Sequence, residues 1–174
     1  MDMDYTTTYL SPIGALTLAS DGDALIGLWF CGQKHDMDVL DKNHEVRDDL
    51  PVFDEARRWL HLYFSGGAPD FTPPLRMRGS SFRRRVWKIL LTIPYGQTMS
   101  YGDIARIIAS ENGKAGMSAQ AVGGAVGHNP IALIIPCHRV VGADGSLTGY
   151  AGGVDRKEWL LQLERCRKKR DATM

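Results

Sequence analysis

The sequence predicts an α+β fold in two modules, and three observations predict it. Residues 5–30 alternate apolar and polar positions between turn signals, the mark of half-buried strands. The second half instead carries apolar residues at helical spacing. Charge divides the same way. Residues 1–75 hold 13 Asp+Glu against 5 Lys+Arg, a balance of −8, and residues 76–174 hold 7 against 16, a balance of +9. The net charge of +1 therefore conceals an acidic half and a basic half. Such asymmetry points to two modules with the second facing something anionic, although segregation onto solvated faces would give the same arithmetic. We place an N-terminal α/β domain at 1–78 and a second domain at 79–174.

Composition narrows the class further. At 44% hydrophobic and 24% charged the 174-residue chain is globular in character, not collagen-like, coiled-coil or disordered. No run of about 18 apolar residues offers a membrane span. Met1-Asp2-Met3-Asp4 is acidic and has no apolar secretory segment. Three cysteines do not suit a disulfide framework, so a reducing cytoplasm is expected.

The elements follow in order. Tyr5, Thr7 and Tyr9 lead to a turn at Leu10-Ser11-Pro12-Ile13-Gly14. Leu16 and Leu18 alternate with Thr17 and Ala19, and Asp21-Gly22-Asp23 turns the chain into a third strand, Leu25 to Phe30. This is an antiparallel meander with short hairpins. Residues 31–50 are polar and irregular. From Pro51, suited to a first helical turn, Phe53, Ala56, Leu60 and Phe64 recur at helical spacing until Gly66-Gly67. Glycines and prolines over 66–80 mark a linker.

Beyond the linker, Ser80 or Ser81 can cap a helix through Val86, Trp87, Leu90 and Leu91 that stops near Pro94-Tyr95-Gly96. Ser100 can cap a second, with Ile104, Ala105 and Ile108 on one face and Asp103 in its first turn. A glycine-bearing loop at 110–117 precedes Ser118, which can cap a short helix of small residues over 119–126, ended by Pro130. Two helices joined by a turn fit a helix-turn-helix unit. An apolar run from Ile131 to Ile135 and a glycine-rich stretch at 144–153 lead to a last helix, 154–165, with Trp159, Leu160 and Leu163 facing inward.

The sharpest chemical feature is Ile134-Ile135-Pro136-Cys137-His138-Arg139-Val140-Val141. The apolar run delivers a cysteine and a histidine to a point where the chain must turn. A thiol attacks only as thiolate, so a reactive cysteine needs a base or a positive charge nearby, and His138 can supply both. A carboxylate would then orient the imidazole and stabilise its charged form, but the pattern does not single one out. A buried structural cysteine beside an exposed histidine fits the same residues.

Pro136-Cys137-His138-Arg139-Val140 resembles the signature pentapeptide of the O6-alkylguanine-DNA alkyltransferases, the methylated-DNA–protein-cysteine methyltransferases. Ser11-Pro12-Ile13-Gly14 resembles the family's N-terminal strand turn. Phe82, Val86-Trp87, Ile93-Pro94-Tyr95-Gly96 and Ser100-Tyr101 resemble its first helix and the approach to its helix-turn-helix. Ala121-Val122-Gly123, Asn129-Pro130, Gly149-Tyr150 and Lys157-Glu158-Trp159-Leu160-Leu161 continue the match to Glu164. The resemblance covers nearly the whole chain and is weakest over 31–50 and after 165. It implies an N-terminal ribonuclease-H-like α/β roll with an antiparallel sheet, and a C-terminal helical domain with a winged-helix-like helix-turn-helix.

It also implies direct reversal of DNA damage. The reacting atom of a stacked base is shielded, so an alkylated guanine must be rotated out of the duplex into a pocket. The Cys137 thiolate would take the alkyl group from O6 in one displacement, with O4-alkylthymine as a further substrate. The guanine is restored and the cysteine keeps a thioether, so each molecule acts once. The resemblance calls for double-stranded DNA carrying O6-alkylguanine as partner, no cofactor, no metal, no membrane, and a monomer.

Residue by residue, the resemblance makes Cys137 the acceptor, His138 the base acting through a water, and Glu164 the carboxylate orienting His138. On its own chemistry Glu164 is equally a helix-end acid pairing with Arg165 or Lys168. Asn129 resembles a hinge asparagine between recognition helix and active-site loop, and also suits a helix C-cap. Tyr101 resembles the tyrosine whose hydroxyl assists base rotation and donates to the leaving guanine; a partly buried aromatic with a wet tip is the plainer account. Arg139 falls in the DNA- or substrate-contacting set. Val140 and Tyr150-Ala151-Gly152 resemble the pocket wall, where Ala151 offers O6 only its N–H.

The helix at 118–126 resembles the family's recognition helix, which enters the minor groove. Ala121, Gly123, Gly124 and Ala125 would allow close approach there. Tight helix packing explains the same glycines, and one reason or the other is expected, because glycine inside a helix costs about 1 kcal/mol against alanine. The family pattern has an arginine before Ala-Val-Gly, filling the gap left by the extruded base. Here Gln120 stands in that place and brings volume and hydrogen bonds but no charge. The loop before it, with Lys114, is longer than usual. Arg83-Arg84-Arg85 near a helix start is disfavoured by the helix dipole and hints at phosphate, while Arg165, Arg167, Lys168, Lys169 and Arg170 form a basic tail. Cys31, His35 and His44 lack the regular spacing of a zinc site.

Two other readings compete. A DNA-binding module without transfer would have no use for Cys137. A thiol hydrolase with a Cys-His-Glu triad would leave the helix-turn-helix and the basic half unexplained.

Overall fold

In the computed structural model, which describes residues 3–33, 35–41, 43–113 and 118–173, the chain divides into two compact units. One is Met1–Arg78 with Pro130–Ala132, and the other is Gly79–Asn129 with Leu133–Met174. The architecture is α+β, as expected.

In the first unit the alternating residues form β1 (Asp4–Ser11), β2 (Gly14–Ser20) and β3 (Leu25–Phe30), an antiparallel meander with Thr7 opposite Leu18 and Leu18 opposite Leu28. Leu16, Leu18, Leu28 and Phe30 are fully buried. Helix α1 (Pro51–Phe64) packs on these strands and buries Phe53, Ala56, Leu60 and Tyr63. Ala19, Ile26 and Trp29 form a separate cluster, covered by Val39 and Leu40. With cover on both faces, every residue of β3 is buried.

The segment 31–50 is therefore more ordered than its polar sequence indicates. It supplies that cover and a three-residue strand, β4 (His44–Val46), which pairs parallel with β1 and gives the sheet order β3-β2-β1-β4. All three β4 residues are exposed, so there was no alternation to read. The expected linker at 66–80 is also partly absorbed. Pro74 O accepts from Leu25 N (2.7 Å), Arg76 N donates to Leu25 O (2.9 Å), and Arg78 grips Asp4 with Nη1 and Nη2 at 2.7 and 2.9 Å. Asp4 is buried and also accepts from Asp41 N at 2.8 Å. Burial alone would raise its carboxyl pKa, but the Arg78 guanidinium and the Asp41 N–H together lower it.

The second unit is built from capped helices. Ser80 accepts from Arg83 N (3.2 Å) at the start of α2 (Ser81–Leu90). Strand β5 (Met99–Ser100) runs straight into α3 (Tyr101–Glu111), where Ser100 and Asp103 form a reciprocal capping box at 3.0 and 3.1 Å. Ser118 caps α4 (Ala119–Gly127) by accepting from Ala121 N at 3.2 Å. The Trp87 indole N–H donates to Ala125 O (2.8 Å) and ties α2 to α4. The pair β5 and β6 (Val140–Val141) is parallel.

The last helix, α5 (Val154–Thr173), extends beyond the expected residue 165. Its buried stripe is Lys157, Leu160, Leu161 and Glu164: Leu160 is inward as expected, but Leu163 is half-buried and Trp159 lies at the surface. Two of the four inward positions are charged, so the apolar residues alone placed the stripe about one position off.

One glycine of the first unit is required by space. A Cβ on Gly27 would stand 2.3 Å from Cζ3 of the buried Trp29 ring and 3.2 Å from Ala19 Cβ. Gly27→Ala should destabilise the protein by about 1–3 kcal/mol, although alanine is otherwise the better strand residue. A lower urea midpoint with an unchanged m-value would report this.

Candidate active site

The cysteine sits where several constraints meet. Leu133, buried and at φ 70°, is the residue at which the chain re-enters the second unit. Pro136 (φ −81°, ψ 67°) forms an inverse γ-turn closed by Cys137 N donating to Ile135 O at 2.8 Å. Its ring holds φ, and its missing N–H leaves nothing unpaired. Cys137–Arg139 then makes one 3₁₀ turn, with Arg139 N donating to Pro136 O at 3.0 Å. The parallel pairing of Val140 with Met99 fastens the exit of this turn to the strand before Tyr101. On the other side Asn129 Nδ2 donates to Ile135 O at 2.8 Å, and its side chain also hydrogen-bonds Cys137. The helix C-cap is His128, which leaves the Asn129 side chain turned inward.

Glu164 organises the charges. Its carboxylate, 1% exposed, accepts from His138 Nε2 (2.6 Å), Arg139 Nε (2.8 Å), Arg139 Nη2 (3.3 Å) and the Gly96 backbone N–H (2.9 Å). Burial pushes this carboxyl up, but His138 and then Arg139 hold it down to about 2. Glu164 is thus a buried carboxylate engaged by His138, Arg139 and Gly96, not an exposed helix-end acid. Arg139 is not turned to a DNA surface either. It is buried, donates from Nη1 to Ile93 O (2.8 Å), and stacks over Tyr95 at 5.6 Å. Its fork geometry matches the carboxylate, and that pairing takes it out of the DNA-contacting set.

His138 is fully buried, and burial lowers its pKa despite the opposing pull of Glu164, so the imidazole is neutral near pH 7. The bond to Glu164 assigns the proton to Nε2 and leaves Nδ1 as the ring's acceptor. Burial likewise raises the Cys137 thiol, opposed by Asn129, Lys157 and the Tyr150 hydroxyl. The arrangement is a protonated thiol beside a neutral base. Tyr101 Oη donates to Thr148 O at 3.4 Å, and burial raises its pKa, keeping the hydroxyl a donor. Val140 and Gly152 are buried, while Tyr150 and Ala151 are half-buried.

The α4 face is bare. Gln120, Ala121 and Gly124 are exposed, and a Cβ at Gly124 would meet nothing within 4 Å. At Gly123 it would only touch Tyr101 at 3.9 Å. Packing within the unit therefore requires neither glycine. Some of the basic excess is spent internally, with Arg85 paired to Glu111 and Arg106 to Asp103. Lys114 and the side chains of Lys168, Lys169 and Arg170 lie outside the described residues. Cys31 contacts Thr17 Oγ1 (3.3 Å), His35 pairs with Asp38 (3.2 Å) and His44 bonds Asp41 O (3.1 Å), so these three side chains point to separate partners. Among the described residues no His, Cys, Asp or Glu cluster is arranged to hold a metal, and no helix is long and apolar enough to cross a membrane.

Sequence reasoning missed Lys157. The signal was its place one turn from Leu160 and Leu161 and two turns from Glu164 on a single helical face. The Gly96 N–H and Ile93 O had no such signal, because backbone groups carry no residue code.

Comparison with known proteins bears on this geometry directly. Residues 81–166 match the family model described as the 6-O-methylguanine DNA methyltransferase DNA binding domain, and residues 5–77 match the ribonuclease-like domain of the same proteins. The chain belongs to the 6-O-methylguanine DNA methyltransferase family. A Mycobacterium tuberculosis member named methylated-DNA–protein-cysteine methyltransferase is 46% identical over 172 residues, 99% of each chain. The crystal structure of the M. tuberculosis O6-methylguanine methyltransferase superposes with a TM-score of 0.79, covering 95% of this chain and 94% of that one. The M. tuberculosis protein OGT in complex with DNA matches at a TM-score of 0.78 with 46% identity over the same shares.

The buried His138–Glu164 pair carries a pH signature. Stability from Glu164 is fully present above its unfolded pKa near 4.5 and is lost as pH falls toward about 2, on the order of 3 kcal/mol. His138, whose pKa is lowered by folding, adds a loss that begins below its ordinary 6.5. Urea unfolding between pH 7 and pH 3 should therefore show falling stability throughout. Glu164→Gln should be less stable at pH 7 and flatter below pH 4.5.

Proposed function

We propose that this chain repairs alkylated DNA by direct reversal, transferring the alkyl group from O6 of guanine to its own Cys137. The observation that carries this is the placement of Cys137 on a rigid turn beside a neutral His138 locked by Glu164 at 2.6 Å. His138 Nδ1 takes the thiol proton through a water. The thiolate attacks the alkyl carbon, an S–C bond forms as the C–O6 bond breaks, and the electron pair leaves with the guanine. The guanine regains a ring proton, so the thiol proton is in effect exchanged for the alkyl group. Tyr101 donates to the departing base. The thioether is not hydrolysed, and each molecule reacts once. O4-alkylthymine presents the same alkyl–oxygen bond and is a second substrate. The protein acts as a monomer in the cytoplasm, whose reducing poise suits a thiol that must stay free.

The division of labour follows residues 1–78 and 79–174: the first domain supports, and the second grips DNA and accepts the alkyl group. Helix α4 lies in the minor groove with Ala121, Gly123 and Gly124 against the duplex. Gln120 fills the gap left by the extruded base. Val140, Tyr150, Ala151 and Gly152 wall the pocket. Asn129 joins α4 to the cysteine turn, and Arg139 positions Glu164.

The deciding experiment mixes the protein with a duplex oligonucleotide carrying O6-methylguanine and reads the intact mass. One methyl gained on Cys137 is expected, and Cys137→Ser should bind without gaining it. Binding by the intact chain with no mass gain would favour a non-transferring module, and turnover of an ester or amide would favour a thiol hydrolase.

Substitutions at two positions test the DNA face. Gly124→Ala should stabilise the free protein by about 0.5–1 kcal/mol while weakening duplex binding, because the space it fills belongs to DNA. Gln120→Arg should speed transfer on duplex and Gln120→Ala should slow it, with little change for either on single strands. Equal effects on both substrates would overturn the gap-filling role.

A further inference from the structure

Lys157 is a buried cation that the transfer chemistry above leaves without a role. Its residue is fully buried on the inward stripe of α5, one turn before Leu160 and Leu161 and two before Glu164. Nζ donates to Thr148 O at 3.0 Å and Gly149 O at 3.3 Å. Thr148 O is also the acceptor of the Tyr101 hydroxyl. Lys157 therefore holds the start of the segment that carries Tyr150, Ala151 and Gly152, at the point where Tyr101 is held as well.

The two carbonyls give hydrogen bonds but no full negative charge. Among the described residues no carboxylate forms an ion pair with Lys157, and Glu164 is already engaged by His138 and Arg139. An ammonium taken out of water without an anion is costly. The group that can become an anion beside it is Cys137. The two act on each other, since Lys157 favours the charged form of the thiol and the thiolate favours the charged form of the lysine. The other groups acting on Cys137 are Asn129 and the Tyr150 and Tyr101 hydroxyls, none of which brings a permanent positive charge. Arg156 acts on Tyr150 and donates to Gly152 O. Arg139 faces His138 but is neutralised by Glu164.

We propose that Lys157 is a positioning residue with two linked tasks: its buried ammonium clamps the pocket segment at Thr148 and Gly149, and it is the counter-charge that lets Cys137 ionise. His138 removes the proton, and Lys157 makes the resulting thiolate tolerable in a dry site. The inference rests on Cys137 as the nucleophile, and it is tested without DNA, so its failure and a failure of alkyl transfer are separable.

The test follows alkylation of Cys137 by iodoacetamide from pH 6 to pH 10, in a Cys31→Ser, Cys166→Ser background, with the modified peptide identified by mass. Lys157→Met should move the midpoint of the rate profile up by at least about one pH unit, roughly a tenfold loss of thiolate at pH 7. Lys157→Arg should restore most of the shift. A uniform change in rate at every pH, with the midpoint unmoved, would leave only the clamp and overturn the counter-charge. If Lys157→Met does not fold, the reciprocal effect is read by NMR of the Lys157 side chain in the otherwise intact chain. Its titration should fall to lower pH in Cys137→Ser than in the unsubstituted protein, and coincident curves would overturn the proposal.

Discussion

Everything at the site depends on one buried carboxylate. Glu164, on α5, collects donors from two other stretches of the second unit: the Gly96 N–H after α2, and His138 and Arg139 on the cysteine turn. A carboxylate with no solvent must be paired, and here its donors come from segments distant in sequence from α5. Meeting that requirement sets the imidazole tautomer, the orientation of the 3₁₀ turn, and the approach of α5. The rest of the turn agrees with it, since Pro136, the Asn129–Ile135 bond and the β5–β6 pair each restrain the same few residues.

The acidic and basic halves also gain a structural meaning. The basic excess of the second half is partly consumed by Glu111, Asp103 and Glu164. What distinguishes the α4 face is an absence of bulk, with space for a side chain at Gly124 left unfilled. Close approach to a narrow groove is a steric demand before it is an electrostatic one.

Much of this was legible in the sequence, and the parts that were not share a cause. Strands β1 to β3, helix α1 and the Ser80, Ser100 and Ser118 caps follow from local rules, because period, turn residues and caps act within a few residues of one another. The pentapeptide marked Cys137 and His138 before any geometry was known. Arg139 was misassigned because a charged residue beside a catalytic pair reads as a ligand contact, and only the fold shows that its partner lies 25 residues away. Trp159 was misplaced because the inward face of α5 is partly ionic. Strand β4 escaped notice because three exposed residues carry no period.

Burial of the thiol has a further consequence for a protein that can react only once. Cys137 is 6% exposed and its pKa is raised, whereas Cys31 and Cys166 lie on the surface. Oxidants and stray electrophiles attack exposed thiolates, so the two surface cysteines are the sulfur that the surroundings meet first. On the reaction proposed above, the one reactive equivalent is kept in reserve, and a count of free thiols in an ageing sample will understate how much repair capacity remains.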